Sequence, residues 1–352
     1  MSQMNTINSE KIYRFNTMLE SSGRIVIASH MKPDGDAIGS CLGMYHTLKL
    51  YGKTAKIALT NPAPESINFL TEGNEDILTY ESMPEETQKA ISEADLIICL
   101  DFNAFHRTDT LETPLAGSKA TKVLIDHHLS PDLESFDLVF SETEISSASE
   151  LLYQVLMELP IIAGDAKNLP LEASTAIMTG MTTDTNNFMN STFPSTLRMA
   201  SSLLEAGVDR DMIIQNVYNS FKEERIRLQG HILKDLLNIT PDGVAYIILD
   251  KETLKKYNIQ EGDTEGFVNI PLSIKGVLMS IFIKEDNDRV RVSIRSRKGI
   301  SANRCAKMFF NGGGHENAAG GRLHMPQDIA NIEEAAGYIE RTTHIFMNNE
   351  NE

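Results

Sequence analysis

Three cysteines in 352 residues, Cys41, Cys99 and Cys305, are too few, too scattered and odd in number for a disulfide framework, so they read as reduced packing residues. Long apolar runs are missing as well. Runs such as Ile25–Ala28 and Leu96–Leu100 fall far short of the ~20 residues that a membrane-spanning helix needs. Met1–Glu10 is polar, with no basic stretch feeding an apolar one, so no secretory signal is legible and the expected compartment is the cytoplasm. Cations are in deficit, 32 Lys plus Arg against 49 Asp plus Glu, for a formal charge of −17. Such a balance argues against electrostatic coating of long duplex nucleic acid, although bound metal ions or a local basic patch can still hold a small anion. Internal repeats and low-complexity tracts are absent. What remains, 41% hydrophobic and 23% charged, is an ordinary globular composition, and at roughly 100–200 residues per domain the length favours two domains.

The first half alternates apolar strand patterns with amphipathic helical ones, the rhythm of a parallel sheet covered on both faces. Strands are expected at Arg24–His30, Ala55–Thr60, Asp95–Asp101, Thr121–His127 and Asp137–Ser141, and helices at Asp36–Tyr51, Pro84–Glu93, Ser147–Glu158 and Leu171–Thr182. Ser147 followed by Glu150 has the spacing of a capping box. Beyond Pro194 the pattern turns helical. After the turn signal Pro241-Asp242-Gly243, strand patterns return at Val244–Asp250, Val277–Lys284 and Arg289–Arg295. The expected fold is α/β: a doubly wound, mostly parallel sheet over 1–193, a helical connector over 194–240, a smaller α/β domain over 241–345 and a frayed polar tail over 346–352.

Three apolar strands end in residues that bind metals. One runs into His30 and then Asp34 and Asp36, a second ends in Asp101, and a third runs into Asp126-His127-His128. In open α/β sheets the ligand site lies beyond the carboxyl ends of the strands, so these distant residues are expected to converge, with Asp184 closing the site from a helix. Four carboxylates gathered at one edge repel one another unless cations neutralise them. Taken singly, Asp34 or Asp36 would more often be a turn residue or helix cap. As a set, four carboxylates and two imidazoles suit Mn²⁺, with Mg²⁺ and Co²⁺ as alternatives, and outnumber what one ion needs. Two ions are expected, ~3.5–4 Å apart and bridged by Asp101, with Asp126 orienting an imidazole. His106 and Arg107 read as solvated loop residues.

The run from Arg289 to Arg297 alternates with period two, setting Arg289, Arg291, Ser293, Arg295 and Arg297 on one face and aliphatic residues on the other. Seven Lys/Arg and no acid lie between Arg289 and His315, a local reversal of the chain's charge. A helix from Ser301 to Phe310 then ends in Asn311-Gly312-Gly313-Gly314-His315, whose bare backbone lets a ligand approach closely. Alternating arginines often mark only an exposed strand, and glycines a helix stop. Side by side they favour phosphate or ribose binding, with Arg295 and His315 first and Arg297, Lys298 and Asn317 second.

These residues together resemble a known family. His30-x-x-Pro33-Asp34-x-Asp36-Ala37-x-Gly39-Ser40, Asp101, Asp126-His127-His128, Asp184-Thr185 and Gly312-Gly313-Gly314-His315-x-x-Ala318-Ala319-Gly320 follow the motif series of the DHH phosphoesterases that carry a DHH-associated C-terminal domain. Size and domain pairing are similar to the nanoRNase/pAp-phosphatase (NrnA-like) group. The resemblance implies Mn²⁺-dependent hydrolysis of short oligoribonucleotides to 5′-mononucleotides, and of 3′-phosphoadenosine 5′-phosphate to AMP, by water activated on two ions. It implies that His30, Asp34, Asp36, Asp101, His127 and Asp184 are metal ligands, that His128 lies beside the reacting phosphate, and that Arg295 and His315, with Gly313 and Gly314, contact substrate. A homodimer is compatible with it. Asn186-Asn187-Phe188-Met189 departs from the family, where Gly and then an aromatic and a basic residue usually follow Asp-Thr. Substrate choice is therefore open to two further readings: a cyclic or linear dinucleotide phosphodiesterase, and a non-catalytic nucleotide-binding module.

Overall fold

Six short strands, nearly all apolar, build the sheet of the first of two units into which the chain divides, Met1–Ser220 and Phe221–Glu352. The computed structural model describes residues 7–260, 262–286 and 290–350. The strands are β1 (Ile25–Ala28), β2 (Ala55–Leu59), β3 (Ile77–Thr79), β4 (Leu96–Leu100), β5 (Thr121–Asp126) and β6 (Leu138–Ser141). They pair in parallel in the order β3-β2-β1-β4-β5-β6. The chain winds outward from β1 to β3, returns, and winds the other way from β4 to β6. β1 and β4 are therefore neighbours at the point where the order reverses, and a crevice opens there beyond their carboxyl ends.

Both faces of this sheet are covered, which is why its strands do not alternate with polar residues. Ile27, Ile57, Ile98 and Ile125 point to one face and pack against helices that include Gly35–Leu48, Ala148–Met157 and Leu171–Asp184. Val26, Ala58, Ile97 and Leu124 point to the other, under Ile91, Phe102, Leu111 and Leu115. The helices Gly35–Leu48 and Leu171–Asp184 approach very closely at Gly39, where a Cβ would sit 2.6 Å from the Ala176 carbonyl oxygen. That approach carries Asp36 and Asp184 to the same end of the pair. All three cysteines are buried and free.

The second unit carries a mixed sheet of β7 (Asn238–Ile239), β8 (Val244–Leu249), β9 (Met279–Glu285), β10 (Val290–Ser296), β11 (Gly313–Gly314) and β12 (Ala318–Leu323). Its order is β11-β12-β10-β9-β8-β7, with β8 and β9 parallel and the other pairs antiparallel. Val290, Val292 and Ile294 pack against Cys305, Phe310, Ile339 and Phe346.

Several details differ from the expectations. The stretch 194–240 is shared between the units: Pro194–Glu205 and Arg210–Tyr218 lie in the first, Glu223–His231 in the second. The polar tail is the end of a helix, Ala335–Glu350, anchored by buried Phe346 and Met347, with 351–352 outside the described residues. Arg289 also lies outside them. Only half of the capping box forms. Ser147 Oγ accepts from the Glu150 amide at 3.0 Å, but the Glu150 carboxylate accepts from the Ser146 and Thr196 hydroxyls, at 2.5 and 2.6 Å, and not from the Ser147 amide. The helix Ser9–Ser21 and the strands β3 and β12 have no counterpart among the expected elements. Among the described residues no helix is long and apolar enough to cross a membrane.

Candidate active site

His30 lies just past β1, and its imidazole is fixed by a 2.8 Å contact between Nδ1 and the Met31 carbonyl oxygen. A carbonyl only accepts, so Nδ1 carries the hydrogen and Nε2 is turned to the site, 3.4 Å from Asp101 Oδ2 and 3.9 Å from Asp34 Oδ1. Asp34 caps the Gly35–Leu48 helix, Oδ1 accepting from the amides of Asp36 and Ala37 at 3.0 and 3.1 Å. The capping role and the ligand role thus coexist in one side chain, which is about half exposed.

Asp36, in the first turn of that helix, is buried. Its two oxygens accept from the amides of Ala148 and Ser149, at 2.6 and 2.9 Å, at the amino end of the Ala148–Met157 helix. Those amides were not legible as part of the site. Their only signal was Ser147 at a helix start, where unpaired N–H groups attract an anion. Asp101 follows β4 with φ of 63°, a left-handed conformation uncommon for any residue but glycine, and such conformations concentrate at functional sites.

His127 and His128 follow β5 and diverge. His127 Nε2 lies 3.5 Å from Asp101 Oδ1, 3.7 Å from Asp184 Oδ2 and 4.0 Å from Asp36 Oδ2. His128 is instead held by the fully buried Asp126, with Nδ1 2.7 Å from Oδ1 and its backbone amide donating to Oδ2 at 3.1 Å. The imidazole that Asp126 orients is therefore that of His128. Asp184 is the last residue of its helix.

Among the groups of donor atoms close enough to hold a metal ion are His30–Asp34–Asp101, Asp36–Asp101–His127 and Asp101–Asp126–His128, and Asp101 belongs to all three. The electrostatics ask for added positive charge. Burial and the charges of Asp101 and Asp184 push the Asp36 carboxyl well above the ordinary carboxylate range. Burial alone would push His30 and His127 down, but the carboxylates facing them, Asp101 first, raise them to about 9 and about 10. At Asp101 burial acts upward and is outweighed by His127, His30 and His128, so its carboxyl lies well below the usual range. Asp101 Oδ1 is nonetheless buried with no hydrogen-bond partner. An orphaned carboxylate oxygen among mixed nitrogen and oxygen donors fits a divalent first-row ion.

In the second unit Arg291, Ser293 and Arg295 are half-buried on one face of β10, opposite Arg322, Gly320 and Ala318 of β12. Arg295 Nη1 donates to the Ile294 carbonyl at 3.0 Å. Two of the second-choice residues are taken up by structure. The Arg297 guanidinium donates to the carbonyls of Val277 and Leu272, both at 2.8 Å, and the Asn317 side-chain amide to Ser296 Oγ and the Arg297 carbonyl, both at 3.0 Å. Gly313 and Gly314 form β11 and not a loop. A Cβ on Gly312 would sit 1.9 Å from the Gly320 carbonyl oxygen, so strand packing already requires that glycine, whereas the nearest atom to a Cβ on Gly313 is the Lys307 side chain at 3.6 Å. His315 turns the hairpin, its amide donating to the Ala318 carbonyl at 2.7 Å.

Comparison with known proteins agrees with this geometry. The DHH family N-terminal domain matches residues 24–181, and the DHHA1 domain matches 241–340. The probable bifunctional oligoribonuclease and PAP phosphatase NrnA of Streptococcus mutans is 30% identical over 84% of this chain and 88% of its own length. The bifunctional oligoribonuclease and PAP phosphatase NrnA of Thermus thermophilus is 31% identical over 86% of this chain and 84% of its own. An exopolyphosphatase-related protein from Bacteroides fragilis superposes with a TM-score of 0.91 at 38% identity, over 99% of this chain and 100% of that one. With the strand-end cluster in the first unit and the glycine hairpin in the second, the chain belongs to the DHH family, among the members that carry a DHHA1 domain.

Proposed function

We propose that this protein is a two-metal phosphoesterase that hydrolyses short oligoribonucleotides to 5′-mononucleotides, and 3′-phosphoadenosine 5′-phosphate to AMP. The observation that carries the proposal is Asp101, buried where the sheet's strand order reverses and common to two complete sets of donor atoms. The relatives named as oligoribonuclease and PAP phosphatase match over both units and support the same substrate class.

His30, Asp34 and Asp101 would hold one ion, and Asp36, Asp101, His127 and Asp184 the other, with Mn²⁺ the best match to the donor set. Such ions, when bound, lower the pKa of water toward ~7 and offset charge on phosphoryl oxygens. The chain's own residues do the rest. The amides of Ala148 and Ser149 keep the Asp36 carboxylate in place. Asp126 holds the His128 hydrogen on Nδ1, which fixes the tautomer and the orientation of the ring. The imidazolium form donates from Nε2 to a phosphoryl or leaving oxygen, and Asp126 stabilises its charge. In the second unit Arg295, His315 and the backbone at Gly313 and Gly314 bind a base, ribose or terminal phosphate.

The test is a substrate panel in Mn²⁺: RNA of two to about twenty nucleotides, 3′-phosphoadenosine 5′-phosphate, the linear dinucleotide pApA and cyclic di-AMP. The highest kcat/KM is expected on RNA of a few nucleotides, with phosphate release from 3′-phosphoadenosine 5′-phosphate. A clear preference for cyclic di-AMP would transfer the assignment to second-messenger turnover. Metal binding with no hydrolysis of any member would leave a nucleotide-binding module.

A further inference from the structure

Arg107 sits in the Phe105–Leu111 segment after β4, a turn fastened on several sides. Its carbonyl oxygen accepts from the Met31 amide at 2.8 Å, directly after His30. The next residue's carbonyl, that of Thr108, accepts from Thr60 Oγ1 at 2.7 Å, at the end of β2. Phe105, Thr108 and Leu111 are buried. The backbone of Arg107 is thus pinned among the carboxyl ends of β1, β2 and β4.

Arg107 Nη1 is buried with no hydrogen-bond partner among the described residues. Two of the centre's carboxylates already have donors: Asp34 accepts from two amides and Asp36 from two more. Its backbone hydrogen bond to Met31 sets Arg107 beside the strand end that carries His30. A charged donor shielded from water and lacking an acceptor is costly, and such groups persist where a ligand supplies the acceptor. Carboxylates that hold cations and a guanidinium left without an anion are complementary halves of a phosphate site.

We propose that Arg107 is an anion-binding residue of this centre, donating from its guanidinium to a phosphoryl oxygen of the bound substrate or product. The assignment rests on the phosphoesterase reading and adds to it a contact in the first unit, independent of the arginines of β10.

Binding of inorganic phosphate and of AMP to the Mn²⁺-loaded protein, followed by calorimetry, tests it alongside Mn²⁺ affinity and melting temperature. Arg107→Gln is expected to weaken phosphate binding about 10- to 100-fold, the range for losing a charged hydrogen bond, with Mn²⁺ affinity within twofold of the parent. Arg107→Lys, which keeps the charge and loses the planar fork, is expected to fall between the two. Phosphate binding unchanged in Arg107→Gln overturns the proposal, and so does a parallel loss of Mn²⁺ affinity, which marks a prop for the metal centre. If Arg107→Gln does not fold, Arg107→Lys decides: several-fold weaker phosphate binding upholds the contact and unchanged binding removes it. A parent that hydrolyses nothing in the substrate panel yet binds phosphate through Arg107 keeps the anion site and ends the hydrolase reading alone.

Discussion

At the carboxyl edge of β1 and β4, Asp36, Asp101 and Asp126 are buried, and Asp36 and Asp126 each have fixed partners: two amides for one, an imidazole and an amide for the other. On β10, by contrast, Arg291, Ser293 and Arg295 are half-buried side chains along a sheet face. A buried group is poorly screened and cannot move to accommodate a lost neighbour, so each change there is felt in full. A half-exposed cation keeps much of its hydration and shares its task with neighbours. The two surfaces should therefore fail differently. Damage to the first should lower metal binding and kcat, whereas damage to the second should raise KM and depend on salt.

The sharpest test of that contrast is Asp101→Ala. Losing the carboxylate shared by both donor sets should remove several kcal/mol of transition-state stabilisation, a fall of about a thousandfold or more in kcat/KM. Mn²⁺ stoichiometry should fall with it, and activity within a few-fold of the parent would remove Asp101 from the centre.

Proton release comes next. In the metal-free protein His30 and His127 titrate at about 9 and about 10, both above the ordinary imidazole value of 6.5. The stability they add is therefore full below about pH 6.5 and lost as pH rises through 9 and 10. Ligation needs neutral rings, so Mn²⁺ binding near pH 7.5 should expel protons, and its affinity should rise about tenfold per pH unit for each proton lost. Calorimetry in two buffers of different ionisation heat counts them. A count of zero would exclude both imidazoles as ligands.

The mildest effects belong to the second unit. Arg295→Ala should lower kcat/KM about tenfold, mainly through KM, and the deficit should shrink as salt rises. Gly313→Ala, whose Cβ meets the Lys307 and Asn303 side chains no closer than 3.6 Å, should leave the melting temperature unchanged, so any loss of activity would report a ligand at that backbone. Loss of Mn²⁺ affinity in either variant would erase the distinction between the two surfaces.

Most of the first sheet was legible because parallel strands buried on both faces leave long apolar runs, as at Leu96–Leu100. β3 escaped because Ile77–Thr79 is too short to show a period. β12, Ala318–Leu323, escaped because Ala-Ala-Gly-Gly carries none of the branched side chains that mark strands. The candidate ligands were legible as strand-end acids and imidazoles. Arg107 was not, since an arginine in a polar loop is ordinary until its neighbours are known.

The order of apolar and polar residues alone thus determined a doubly wound sheet with acids and histidines at its strand ends, because a strand's burial and the position of its last residue are local properties. Which imidazole Asp126 holds, which amides receive Asp36, and which guanidinium is left without an acceptor were decided only in three dimensions. Hydrogen bonds and Coulomb forces act over a few ångströms of space, and residues 36 and 148 or 31 and 107 become neighbours only after the sheet has brought its strand ends together.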